Sequence, residues 1–373
     1  MKTPYSFLAV SDVHLGWKLF NLPELAQDLL EDFEYAVDEA IRLKVDYFFV
    51  VGDLFDTNRP SPDLVYFVSQ QVRKLGANGC IAAGIAGDHD KPVNNAAWIN
   101  LGNVLPINSL NDPRFVGFDY CDNSVENVDR LLALPKKEKV EWIFLHGQVP
   151  ELFHFTEEKK RLDLNRLDLA HDFTALKGVI LGDIHTPLEG ELYDPFKIRE
   201  TNPYIGYCGS LGMIKTSEFN YKRRLLHFDG QVLQKIPFKL SREFIKVDLA
   251  TAHTPINWIQ RYTRFFTNYE GKKPLIVVEY DKESKDLLAT LSPLYDVAIV
   301  RTTRSNKTAK TSETSSEEEH VSLRSELKTV ERIESVLKKC IPDRDIFELT
   351  FQLLKTEDPS AILDKYKEEK LNE

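Results

Sequence analysis

Nine aspartate and histidine residues stand in five short stations along the first half of the chain: Asp12 with His14, Asp53, the run Asp88-His89-Asp90, His146, and Asp183 with His185. These are the donor types of a centre that holds divalent metal. Two such cations about 3.5–4 Å apart need a carboxylate that can bridge them, with imidazoles and further oxygens completing each coordination sphere and open positions for water and phosphate. A single Asp or His of this kind is equally a solvated loop carboxylate or a hydrogen-bonded core imidazole. Five stations, all placed alike, point to one metal site.

The placement comes from the elements that precede them. Residues 47–51, Tyr-Phe-Phe-Val-Val, read as a strand buried on both faces, the pattern of a parallel sheet covered by helices, and the strand stops at Gly52-Asp53. Residues 7–10 lead into Asp12 and His14, 142–145 into His146, 179–181 into Gly182-Asp183-Ile184-His185, and the weaker run 80–86 into Gly87-Asp88-His89-Asp90. In open α/β sheets ligands bind at the carboxyl ends of strands. Between the stations, residues 22–43 carry apolar positions at helical spacing behind Pro23, and Pro62 opens a second helix that Gly76 is expected to stop. Residues 125–134 read as a short helix. Strand, motif, helix, strand, motif is the βαβ arrangement of a doubly wound half-fold.

The ordered motifs Asp-x-His, Gly-Asp-x-x-Asp, Gly-Asp-His-Asp, a lone His after a strand and Gly-Asp-x-His resemble those of calcineurin-like metallophosphoesterases. The continuation Arg59-Pro60-Ser61-Pro62 is similar to the SbcD and Mre-eleven type nucleases, in a compact form of bacterial or phage character, and Tyr204 to Leu211 is similar to the segment that closes their phosphoesterase domain. The resemblance implies an α/β fold, an α+β sandwich with two sheets flanked by helices. It implies that Asp12, His14, Asp53 and His185 hold one metal and Asp53, Asp88, His146 and Asp183 the other, with Asp53 bridging. His89, held by Asp90, would stabilise or protonate the leaving oxygen while activated water attacks the phosphorus in line. Two positions depart from the family pattern: Asp88 stands where Asn is usual, and Asp183 where His is usual. Four carboxylates against two dications bring the formal charge to zero, against +2 for the usual set, which favours manganese, or magnesium, over zinc. Asp56 occupies a position where some relatives carry a His that assists cleavage.

At 373 residues, 42% hydrophobic and with 22 Phe, the chain suits two or three domains with a sizeable core. Its net charge of −10 excludes a broadly basic surface, so any DNA contact must be local, metal-assisted or shared with a partner. Four widely spaced cysteines without a Cys-x-x-Cys read as reduced thiols of a cytoplasmic protein. Pro4 and the early Asp12 leave no room for a secretory signal, and no run of about 18 apolar residues is present to span a membrane.

Four segments are expected: a phosphoesterase domain over residues 1–240, a small α+β unit over 241–302 similar to the capping domain of SbcD-type proteins, a Ser/Thr/Lys/Glu-rich linker over 303–322, and a helical tail over 323–373. Within the first, residues 204–238 read as short strands closing a second sheet against the first. The tail is too small to hold a core alone, and in the resembled family this region grips the coiled-coil base of an SbcC-type ATPase. The expected function is a DNA exonuclease or endonuclease subunit of an SbcC–SbcD-like complex in DNA repair or recombination, homodimeric by resemblance. The alternatives are a small-molecule phosphodiesterase or phosphatase, and a weakly active scaffold for the ATPase.

Overall fold

Two sheets meet face to face in the first of two compact units, residues 1–241 and 242–373. The computed structural model describes residues 5–91, 102–122, 124–150, 152, 158–167, 172–191, 203–248, 272, 275–280 and 299–303. In chain order the first unit runs β1 (Phe7–Val10), α1 (Pro23–Leu43), β2 (Tyr47–Val51), α2 (Pro62–Ala77), β3 (Ile81–Ile85), β4 (Leu105–Pro106), β5 (Phe115–Gly117), α3 (Ser124–Leu132), β6 (Trp142–His146), β7 (Gly178–Gly182), β8 (Glu189–Glu191), β9 (Tyr204–Tyr207), β10 (Arg224–Phe228) and β11 (Leu233–Pro237). One sheet has the order β11-β10-β1-β2-β3-β4, the other β5-β6-β7-β9-β8. Each is parallel except toward one side: β10 runs antiparallel to β1 and β11 antiparallel to β10, and β8 runs antiparallel beside β9.

Alternation along the strands divides the core. Leu8, Val10, Phe48 and Val50 face α1 and α2, packing with Leu29, Phe33, Val37 and Val68. Their neighbours Phe7, Ala9, Phe49 and Val51 face the other sheet and meet Trp142, Phe144 and Ile180. On the far side of that sheet, Ile143, Leu145, Val179 and Leu181 pack with Val128 and Leu131 of α3. The seam between the sheets is aromatic, with ring centroids of Phe49 and Phe144 4.5 Å apart and those of Phe7 and Trp142 4.9 Å apart, edge to face.

Helix α1 begins at Pro23, as the sequence pattern requires, and ends where Lys44 turns left-handed at φ 56°. Helix α2 is capped by Ser61, whose side chain accepts from Leu64 N, and runs through Gly76 to Ala77, so the glycine does not stop it. Helix α3 starts one residue before and ends two before the expected span. The expectation for residues 204–238 is corrected: β9 joins the second sheet, but β10 and β11 extend the first, because Leu226 and Phe228 of β10 sit in the aromatic seam beside Phe7.

The second unit contains β12 (Phe244–Asp248), β13 (Leu275–Tyr280) and β14 (Ile299–Thr303), a parallel three-stranded sheet in that order. Its last strand runs two residues beyond the expected 297–301. The helices expected over 255–268 and 287–291, nearly all of the linker and the whole tail from 323 lie outside the described residues. Among the described residues no helix is long and apolar enough to cross a membrane.

Asp32 on α1 is buried and accepts a hydrogen bond from Ser241 N at 2.7 Å. Burial pushes its carboxyl up to about 7, against the pull of the Ser241 bonds, with Asp28 nearby adding to the rise. Between the ordinary carboxylate range and about pH 7 the folded chain therefore keeps a proton that the unfolded chain has released, so this group lowers stability as pH rises through that window. Asp32→Asn should gain thermal stability relative to the parent as pH is raised from 5 to 8, measured as the difference in Tm at each pH; a difference independent of pH would contradict the assignment.

Candidate metal centre

The two sheets bring the carboxyl ends of five parallel strands to one place. Asp12 and His14 follow β1, Asp53 follows β2, Asp88 and His89 follow β3, His146 ends β6, and Asp183 and His185 follow β7. The backbone turns sharply at these points: Asp12, His14, Asp53 and Asp183 all have positive φ, at 51°, 52°, 50° and 92°. Contacts between the sheets stitch the ends together. Asp183 N donates to Asp12 Oδ1 at 3.1 Å, and His146 Nδ1 lies 3.1 Å from Val51 O. Gly182 permits this closeness, since a Cβ there would sit 2.1 Å from Val51 O and 2.5 Å from His146 Nδ1.

Four overlapping trios can each offer ligand atoms within 4.8 Å of one another: Asp12, His14 and His185; His14, Asp53 and His89; Asp12, Asp53 and His146; and Asp88, His146 and Asp183. Asp53 Oδ2 stands between two imidazoles, 3.6 Å from His14 Nε2 and 3.5 Å from His146 Nε2. His14 Nε2 and His185 Nε2 approach to 3.2 Å. Each of these rings is held by its other nitrogen: Nδ1 of His14 by the Asp56 carboxylate at 3.2 Å, Nδ1 of His146 by Val51 O, and Nδ1 of His185 by Glu218 Oε1 at 2.5 Å. Anchored through Nδ1, all three imidazoles present Nε2 to the centre, the arrangement by which proteins orient metal-bound histidines. Asp183 Oδ2 is buried and has no hydrogen-bond partner among the described residues. Converging carboxylate oxygens, pre-oriented imidazole nitrogens and an unpartnered buried oxygen fit two divalent cations.

Charge in the cluster is mutually supported. Burial alone would raise the Asp53 carboxyl, but His146 and His14 beside it bring it down to about 2. His185 is raised above its ordinary value against the effect of burial, by its bond to Glu218 and the charge of Asp12. Glu218 is itself fully buried and takes Ile214 N at 3.0 Å and Arg223 Nη2 at 3.0 Å.

The seven residues expected to ligate metal, Asp12, His14, Asp53, Asp88, His146, Asp183 and His185, lie together here, with His89 at their edge and its side chain 45% exposed. Asp90 has a different job from the one expected. It is buried, its oxygens accept Phe55 N at 3.1 Å and Gly87 N at 2.7 Å, and burial with the Asp53 charge pushes it up to about 7. It shapes the loop, whereas His89 is held through Nδ1, 3.0 Å from Asp56 O. Two residues escaped the sequence pattern. Glu218 ends a single turn of 3-10 helix, Thr216–Glu218, with no motif around it. Lys160 places Nζ 2.7 Å from both Asp88 Oδ2 and Asp183 Oδ1, and no motif singles it out.

A two-sheet fold with carboxylates and imidazoles at its converging strand ends defines a class of metal-dependent phosphoesterase. Residues 5–187, just under half of the chain, match the Calcineurin-like phosphoesterase family, and the chain carries a metal-dependent phosphodiesterase domain of that kind. Over longer stretches it is similar to proteins named DNA double-strand break repair protein Mre11. That of Sulfurisphaera tokodaii is 27% identical, over 75% of this chain and 75% of its own length. That of Haloferax volcanii is 25% identical over 74% of this chain, which spans 60% of that relative, and that of Saccharolobus solfataricus is 24% identical over 78% of this chain and 80% of its own.

Removing the charge behind His185 should loosen the centre without disturbing the fold. Glu218→Gln should weaken manganese binding by about ten-fold or more, read by calorimetric titration, with an unchanged circular dichroism spectrum. Parental affinity in this variant would mean that His185 does not depend on Glu218 for its role at the metal.

Proposed function

We propose that this chain is the nuclease subunit of a DNA end-processing complex, acting in the cytoplasm and hydrolysing DNA phosphodiester bonds at a two-metal centre loaded with manganese, or magnesium. The observation that carries this reading is the convergence of seven Asp and His donors with His89 at the rim. The similarity to the repair proteins supports a nuclease over a small-molecule phosphatase, because the aligned stretches reach 291 to 323 residues, well beyond the 5–187 domain match. Four carboxylates among the donors favour an oxygen-loving ion.

One cation would be held by Asp12, His14, Asp53 and His185, the other by Asp53, Asp88, His146 and Asp183. When bound, the pair supplies positive charge that acidifies a water and neutralises the phosphate. The chain's own contribution to the proton inventory is His89. Its Nδ1 faces the Asp56 carbonyl, an acceptor only, so Nδ1 carries one proton, and it is the second proton of the imidazolium, on Nε2, that would pass to the leaving oxygen. Asp56 thereby serves two histidines, His89 through its carbonyl and His14 through its carboxylate.

The segments outside the catalytic unit fit the same reading. Residues 241–302 form a cap-like unit, 303–322 a tether, and 323–373 a docking tail for the coiled-coil ATPase of an SbcC-like complex, with two nuclease chains per assembly. Its composition, Ser/Thr/Lys/Glu-rich and then apolar at helical spacing, supports that division.

Purified chain with manganese should cleave linear duplex DNA in preference to nucleotide phosphodiesters; the reverse preference would favour the small-molecule reading. Asp53→Ala should abolish cleavage and lower bound metal, whereas His89→Ala should keep its metal and lose about 10²–10⁴-fold in rate. Wild-type cleavage by Asp53→Ala would refute the assignment. Deleting 323–373 should leave manganese-dependent hydrolysis of a small phosphodiester unchanged and abolish ATPase binding in a pull-down. Undiminished binding by the truncated chain would refute the docking role.

A further inference from the structure

Lys160 adds a fixed positive charge to the carboxylate cluster. Its Nζ is 2.7 Å from Asp88 Oδ2 and 2.7 Å from Asp183 Oδ1, and its side chain is only 14% exposed. The backbone holds it there. Two residues beyond His146, Gln148 N donates to Lys160 O at 2.7 Å, and Leu162 N returns a bond to Gln148 O at 2.7 Å. A Cβ on Gly147 would come within 2.8 Å of Lys160 O, so the segment can lie this close to the β6 end because residue 147 has no side chain.

The lysine engages one oxygen of each carboxylate. The other oxygens point to a different use: Asp88 Oδ1 lies 3.3 Å from His146 Nε2, and Asp183 Oδ2 is buried with no partner among the described residues. Asp88, His146 and Asp183 are also one of the trios whose ligand atoms cluster within 4.8 Å. Two carboxylates packed this closely repel each other, and a shared ammonium offsets that repulsion while fixing both side chains.

We infer that Lys160 is a built-in counter-cation, a positioning residue that clamps Asp88 and Asp183 through Oδ2 and Oδ1 and leaves Asp88 Oδ1 and Asp183 Oδ2 as the donors to the metal. The clamp rests on the two-metal reading above. It requires the ammonium to stay in place when metal is bound, and it makes the lysine the group that balances Asp88 and Asp183 in the metal-free chain.

Both requirements can be measured on the full chain. Reductive methylation followed by peptide mass spectrometry should find Lys160 among the least modified lysines both without metal and with saturating manganese. A Lys160 that becomes reactive on manganese loading would overturn the clamp, because the ion would then be displacing the ammonium. In metal-free protein, Lys160→Met should lower Tm by about 5–10 °C, and adding Asp88→Asn and Asp183→Asn to it should recover most of that loss. No recovery in the triple variant would overturn the charge-balancing role. Metal content of the unmodified wild-type chain is read separately. Failure to bind manganese would defeat the two-metal reading, while the stability comparison, made without metal, tests the clamp on its own.

Discussion

The centre exists because two sheets are pressed together along an aromatic seam. Phe7, Phe49 and Val51 on one side and Trp142, Phe144 and Ile180 on the other are all essentially inaccessible to water, and their interdigitation sets the height at which strand ends from different sheets meet. Neither sheet alone could assemble the donors. Asp12, Asp53 and Asp88 belong to β1, β2 and β3, whereas His146 and Asp183 belong to β6 and β7.

Around that meeting point the chain manages a dense accumulation of negative charge. Each imidazole is backed by an acceptor, and Glu218 is answered in turn by Arg223, which also donates to Gly212 O. Lys160 answers Asp88 and Asp183 from the β6 side. The supports come from separate segments of chain, so the centre is braced by contacts distant in sequence rather than by one loop.

Much of this is legible in the sequence. Apolar runs that end in Gly-Asp or in His identify strand ends, and their residue types identify metal chemistry, so the stations of the centre could be marked from composition and spacing. What could not be read was anything that depends on which strand lies beside which. Residues 204–238 read as short strands, but that reading does not tell that β10 pairs with β1, as Phe7 opposite Phe228 shows. The resemblance implies Asp90 as the partner of His89, yet its acceptors are spent on the backbone of residues 55 and 87. Lys160 and Glu218 each end a single turn of 3-10 helix, Glu158–Lys160 and Thr216–Glu218, too short for periodicity to set one charge apart.

The positive φ angles at Asp12, His14, Asp53 and Asp183 carry an implication for how this protein can change. Such backbone costs on the order of 1–3 kcal/mol at each residue, less for aspartate than for most, and glycine would relieve it. At these four positions glycine would also delete the donor atom, so the ordinary remedy for local strain is closed. Variants selected for heat resistance must therefore leave the centre strained and gain their stability in the seam, the helices or the surface. Within this unit, durability and chemistry are improved at different addresses.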